Sequence, residues 1–189
     1  MKALNRKDEI LIVAAKLFKE KGYSAVTMRD LATDMHIKAA SLYNHIESKQ
    51  AILKEIILSI SEQFTEGMER IIKLDASSIE KLKKVIRLHV KITSRNTNGM
   101  ASLNNDWMHL GDQLEYYKKL RYNYEDNFRQ IIQNGIDSNE IKNEKLDVLL
   151  FSMLSTLRSL YIWIPKKEDI NIEELSDSLS EILITGINK

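Results

Sequence analysis

The chain of 189 residues has no cysteine, one proline and six glycines. Without cysteine there is no disulfide and no thiolate chemistry, and the redox compartment is left open. So little glycine and proline, in a sequence dominated by helix formers, predicts an all-α fold. No signal peptide stands at the start, because Met1–Asp8 is polar and a helix follows at once, so a cytoplasmic place is expected. The most apolar run, Val148–Ile164, is just short of a membrane span and contains Arg158. It reads as a core or interface helix, and no membrane partner is expected. There is no phosphate-cradling glycine loop, no nucleophile–base set and no cofactor turn, so neither an enzyme nor a cofactor is expected. Asp106 and His109 stand at i, i+3, but a di-metal bundle needs several such pairs. A helical metalloenzyme is the remote alternative.

What is present is a soluble composition, 43% hydrophobic and 29% charged, enough for a sizeable core. The net charge of +1 says little, but its distribution says more. Residues 1–50 hold nine Lys/Arg against six Asp/Glu, +3, and residues 51–189 hold 19 against 21, −2. A mildly basic head on an acidic body fits a nucleic-acid-binding head. About nine helices are predicted from apolar spacing of three and four. Helix one spans about 6–21, with Gly22 as its cap. Thr27 opens helix two in a capping box with Asp30, and helix three covers about 39–45. Ser48 caps a fourth helix reaching about 73, and a fifth covers 78–95. After a loop at 96–99 come helices at about 100–110, 113–134 (ended by Gly135), 144–164 and 172–187. The domains divide as 1–50 and 51–189.

Helices two and three, joined by a tight turn, form a helix-turn-helix unit. In KAASLYNHIESK, residues 38–49, Leu42 and Ile46 point into a small core and the rest is free to meet DNA. The alternative is an ordinary surface helix with a stray Tyr-x-His. This stretch resembles the signature A-x-x-x-G-V-S-x-G-x-L-Y-x-H-F-x-x-K-E of TetR-type transcriptional regulators. Ala32, Ile37, Leu42, Tyr43, His45, Ile46 and Lys49 match it in register. His36 replaces the turn glycine, Lys38 the capping serine, Ala40 the second glycine and Gln50 the glutamate. His36 suits a turn, since histidine is enriched at positive φ. The resemblance implies base contacts from Lys38, Ala39, Ala40, Ser41 and Asn44. It implies phosphate contacts from Thr27, Tyr43, His45 and Lys49. Lys38 and Asn44 have the chemistry to read guanine and adenine. Arg6 and Lys7 either touch phosphate or form a solvated terminus.

In the body, helices at about 144–164 and 172–187 are apolar enough to build a homodimer. A two-fold dimer then meets a palindromic operator in double-stranded DNA, with half-sites about 34–36 Å apart or a multiple of that. Leu114, Tyr117, Arg121, Tyr124, Phe128 and Ile131 share one helix face, with Trp107 and Tyr161 as further candidates. Either this stripe lines an apolar ligand pocket with a cation in its wall, or Arg121 is a core arginine paired with Asp106, Glu125 or another carboxylate. The run W-M-H-L…Y-Y-K-K-L-R-Y-N-Y-E-D-N-F-R is similar to that of TetR-type regulators responding to acyl-coenzyme A. This implies an acyl chain in the bundle, with Arg121, Arg129 or Lys118 near the anionic part. The function expected is a ligand-responsive transcriptional repressor with a small apolar or acyl-coenzyme A effector. The alternative is a helical DNA-binding architectural or partner-binding protein without an effector.

Overall fold

The computed structural model describes residues 5–167 and 169–186. Among them are nine α-helices and no strand. They are α1 (Arg6–Lys21), α2 (Met28–Asp34), α3 (Ala39–Tyr43), α4 (Lys49–Ile72), α5 (Ser78–Arg95), α6 (Thr97–Asn105), α7 (Leu114–Asp137), α8 (Leu146–Trp163) and α9 (Ile172–Ser180). Two 3-10 turns, Trp107–His109 and Gly111–Gln113, join α6 to α7, and a π turn, Glu181–Thr185, follows α9.

The chain forms two compact units. One holds the residues up to Ser61 with Asn98–Tyr117, the other Glu62–Thr97 with the residues from Lys118 on. The boundaries fall inside α4, α6 and α7. The unit that carries the helix-turn-helix is therefore larger than the 1–50 segment read from charge and motif.

In the first unit, Ile10, Ala14, Leu17 and Phe18 of α1 meet Leu31 of α2, Leu42 of α3 and Ile52, Leu53 and Ile57 of α4 in a buried core. Gly22 takes φ 82 and its amide donates to the Phe18 carbonyl, which stops α1. Ser48 accepts from the Ala51 amide at 3.0 Å and starts α4. The segment between α6 and α7 is fastened to the same core. Tyr23 packs its ring 5.1 Å from that of His109, and Gln50 donates to the His109 carbonyl at 3.0 Å. Lys54 pairs with Asp112.

In the second unit α5 packs on α8 and α9. Leu82, Val85, Ile86 and Val90 of α5 share its core with Phe128, Ile131 and Ile132 of α7 and Leu150, Met153, Leu154 and Leu157 of α8. By length and composition Leu146–Lys166 equals a membrane span. Its buried stripe and Arg158, which pairs with Glu125 of α7, tie it to the core instead.

Several boundaries differ from those read in the sequence. α3 ends at Tyr43, because the Leu42 carbonyl accepts from both His45 and Ile46 and closes the turn. Residues 97–99, expected as loop, open α6, and the helix expected to reach 110 breaks into 3-10 turns after Asn105. Gly135 does not end its helix. α7 continues to Asp137, and Asn139 takes the left-handed φ of 59. The α-helix of α9 gives way to the π turn after Ser180, and Ile187, its expected end, lies outside the described residues.

Candidate nucleic-acid interface and effector site

The recognition segment is built outward from two buried side chains. Leu42 and Ile46 anchor it, while Lys38, Ala40, Tyr43, Asn44 and His45 are exposed and Ala39 and Ser41 half-buried. Tyr43 keeps 55% of its surface in solvent, unusual for so large a ring. The turn before it works without glycine. His36 adopts φ 54, and its amide and that of Ile37 donate to the Thr33 and Ala32 carbonyls. Lys38 precedes α3 without a side-chain cap, leaving its ammonium outside the helix.

Thr27 starts α2. Its hydroxyl donates to the Asp30 carboxylate at 2.6 Å and accepts from the Asp30 amide at 3.2 Å, while its own amide donates back at 2.7 Å. The Thr27 hydroxyl and amide hold the Asp30 carboxyl below its ordinary range. Lys49 differs from the other eight candidates. Its ammonium donates to the carbonyls of Tyr23 and Val26, both at 2.7 Å, and of Ser24 at 3.4 Å. It also lies 4.3 Å from the centre of the Tyr23 ring. Burial lowers its pKa from the usual ammonium value. Lys49 thus holds the α1–α2 connection against the start of α4. Arg6 pairs with Glu9 and Lys7 with Glu55.

The six candidate ligand residues divide between the two units. Trp107 and Tyr117 lie in the first unit, their rings 5.9 Å apart and stacked, with the Tyr117 hydroxyl donating to the Leu103 carbonyl at 3.3 Å. Arg121, Tyr124, Phe128 and Tyr161 lie in the second. Phe128 is fully buried and Tyr124 nearly so, its hydroxyl 2.8 Å from Nε2 of His89 and its ring against Phe64. Glu125, one of the carboxylates named for Arg121, is its partner. Arg121 donates to Glu125 at 3.2 Å, and the same carboxylate accepts from Arg158. Burial alone would raise the Glu125 pKa, but the bonds from both arginines bring it below the ordinary value.

The polar roles of His89, Thr93 and Arg158 are not legible in the sequence. The one available signal is a polar residue at an apolar position of a helical stripe. A cavity of about 300 Å³ among Leu82, Ile132, Ile141, Leu149, Met153 and Leu183 has no sequence signal either. On α8, Val148, Phe151, Ile162 and Trp163 are exposed, as is Ile182 in the π turn after α9. A groove of about 480 Å³ runs between these helices, floored by Leu160, Leu175 and Leu179. Among the described residues no group of three or more potential metal ligands converges.

Residues 10–56 match the family described as bacterial regulatory proteins, tetR family. Residues 75–187 match the tetracyclin repressor-like C-terminal domain. The chain belongs to the TetR family. It is a DNA-binding transcriptional regulator of the ligand-responsive repressor type, not an enzyme. TetR-family regulators bind operator DNA and small-molecule effectors and dimerise. This member is 27% identical over 187 residues to the fatty acid metabolism regulator protein of Bacillus subtilis, covering 95% of this chain and 94% of that one. It shares the fold of the TetR-family regulator PfmR from Thermus thermophilus, with a TM-score of 0.83, 26% identity and 96% and 100% of the two chains covered. It also shares that of AibR, solved in complex with isovaleryl coenzyme A and operator DNA. There the TM-score is 0.79 and the identity 22%, with 95% and 98% covered.

Proposed function

We propose that this regulator is a cytoplasmic, dimeric repressor that leaves a palindromic operator when an acyl-coenzyme A thioester binds. The observation that carries the DNA half is the solvent-facing row Lys38, Ala40, Tyr43, Asn44 and His45 on a segment whose apolar side is closed by Leu42 and Ile46. Ala39, Ala40 and Ser41 are small enough to let the backbone approach base edges. Lys38 and Asn44 contact bases, and Thr27, Tyr43 and His45 contact phosphates. The exposed apolar face of α8, with Ile182 after α9, is the second-copy interface, since large apolar side chains gathered in the open mark an association surface.

The effector half is supported by the fatty acid regulator of Bacillus subtilis and by the acyl-coenzyme A complex of AibR. Trp107, stacked on Tyr117, sits on the segment that Gln50, Lys54 and Tyr23 bind. A ligand that displaces this aromatic pair pulls on residues at the start of α4. The effect is a population shift toward heads that no longer match the half-sites, and DNA must weaken ligand binding by the same factor. A mobility-shift titration of the operator complex with acyl-coenzyme A of graded chain length is the test. Release that peaks at a defined length supports the proposal. No release at any length leaves a constitutive DNA-binding protein.

A further inference from the structure

Within the second unit two fully or almost fully buried polar atoms have no hydrogen-bond partner, Nδ1 of His89 and Oγ1 of Thr93. His89 is 3% exposed and Thr93 is 0% exposed. They stand four residues apart on α5, so their side chains are neighbours, with Cβ atoms about 5–6 Å from each other. Native cores seldom leave such groups unpaired, and each instance calls for an explanation.

The hydrogen positions follow from the partners. The Tyr124 hydroxyl is 2.8 Å from Nε2 of His89, its one hydrogen bond among the described residues. If Nε2–H donated to the phenol oxygen, the phenol hydrogen would have no acceptor. With the phenol donating to Nε2, only the opposite side of the ring is unsatisfied, and it carries N–H. Burial first, and the nearby charge of Arg158 second, bring the His89 pKa down to about 3, so the ring is neutral. Thr93 adds an O–H. Two donors therefore face an interior that offers them no acceptor. The Phe64 and Tyr124 rings, 4.7 and 5.7 Å from the imidazole, give the site apolar walls.

We propose that His89 and Thr93 are a carbonyl-binding pair, and that the effector is an acyl compound whose carbonyl oxygen accepts from both. One oxygen about 3 Å from each donor is compatible with their separation. Arg158 already has Glu125 as its counter-ion, so the site favours a neutral acceptor, a thioester or ketone, over a carboxylate. The inference rests on the effector reading above and narrows it: the ligand is selected by its carbonyl as well as by its chain.

Dodecanoyl-coenzyme A and S-dodecyl-coenzyme A, a thioether lacking only the carbonyl, provide the test on the full chain by calorimetry. Wild type is expected to prefer the thioester by about tenfold, the value of one well-made hydrogen bond. Thr93→Val, equal in shape, lowers the preference, because His89 alone is left to donate, and melts no lower than wild type, and Thr93→Ser restores it. Equal affinities in wild type, an unchanged preference in Thr93→Val, or a markedly lower melting temperature for that variant each overturn the pair. Thermal shift with 2-undecanone against undecane separates the two proposals. If neither thioester nor thioether binds but the ketone raises the melting temperature of wild type more than that of Thr93→Val, the coenzyme A reading falls and the carbonyl pair stands. If the ketone does nothing either, both fall.

Discussion

His89 stays neutral in the folded chain because its interior site disfavours the charged ring, which brings its pKa to about 3 from the ordinary 6.5. The unfolded chain offers the same ring to water, where it protonates below about 6.5. As pH falls through that value the unfolded state gains protons that the folded state does not take. Stability is then lost at about 1.4 kcal/mol per pH unit until about pH 3. From pH 7 to pH 5 this residue alone is expected to lower the urea-unfolding free energy by about 2 kcal/mol. His89→Leu removes that part of the slope, and identical slopes in the two proteins would disprove the account. Lys49 gives a second prediction. Its ammonium is engaged by three carbonyls of the α1–α2 connection, so Lys49→Met costs about 1–3 kcal/mol of stability and leaves the salt dependence of operator binding unchanged. Lys38→Met does the reverse: stability holds, and the operator complex loses about 1–3 kcal/mol with the preference at one base pair relaxed. If Lys49→Met flattens the slope of log K against log salt, its ammonium reaches DNA after all. The two lysines are indistinguishable in the sequence. What separates them is the fold, which returns residues 23–26 to the start of α4. Thr27 and His36 are legible because a capping box and a turn involve residues within four positions. Tyr124 lies 35 residues from His89, Arg158 33 from Glu125 and Tyr23 26 from Lys49.

Two glycines show what helical periodicity can and cannot reveal at the level of elements. Gly135 and Gly99 both read as breaks, and both lie inside helices. A Cβ on Gly135 would come within 2.5 Å of the Ile141 side chain and 2.9 Å of Cβ of Ser78. A Cβ on Gly99 would come within 2.7 Å of Ile60. Each is a place where neighbouring residues approach the helix backbone, so the missing side chain serves packing, not termination. Gly22 is legible as a cap because its role is local to the α1 backbone. Gly135→Ala is expected to destabilise the protein by about 1–3 kcal/mol through overpacking, because the Ser78 Cβ is fixed to the start of α5 and cannot swing aside. Gly22→Ala is destabilising for another reason, its φ of 82. Adding Ile141→Ala to Gly135→Ala relieves part of the first penalty, and a double-mutant cycle on urea midpoints measures it. Additive effects would mean that the two sites do not touch. The long stripes of α1, α5 and α8 are legible for the opposite reason: over four or more turns the apolar spacing repeats often enough to survive a stray polar residue.

For the whole molecule, the decisive quantity is whether two copies associate through α8 and α9. Phe151 is 72% exposed, and Val148, Ile162 and Ile182 are also open to solvent. A single chain gains nothing from these positions, and leaving them in water costs about 25 cal/mol for every Å² of apolar surface uncovered. Pairing two such faces removes that surface from water on both copies at once, as isologous contacts do. Phe151→Glu places a carboxylate where the partner's equivalent face would close over it, and leaves the chain's own core untouched. The expected outcome is a helical, cooperatively melting monomer in sedimentation equilibrium, with operator affinity reduced at least about a hundredfold. The second head then no longer binds at the high effective concentration set by its tether to the first. Glu173→Gln, on the exposed side of α9 that pairs with Arg87 within the chain, serves as a control that leaves the dimer intact. A dimeric Phe151→Glu protein with undiminished operator binding would move the interface elsewhere. A monomeric one that still gripped the full operator would mean that a single head suffices, and that effector-driven spacing of two heads is not how this regulator lets go.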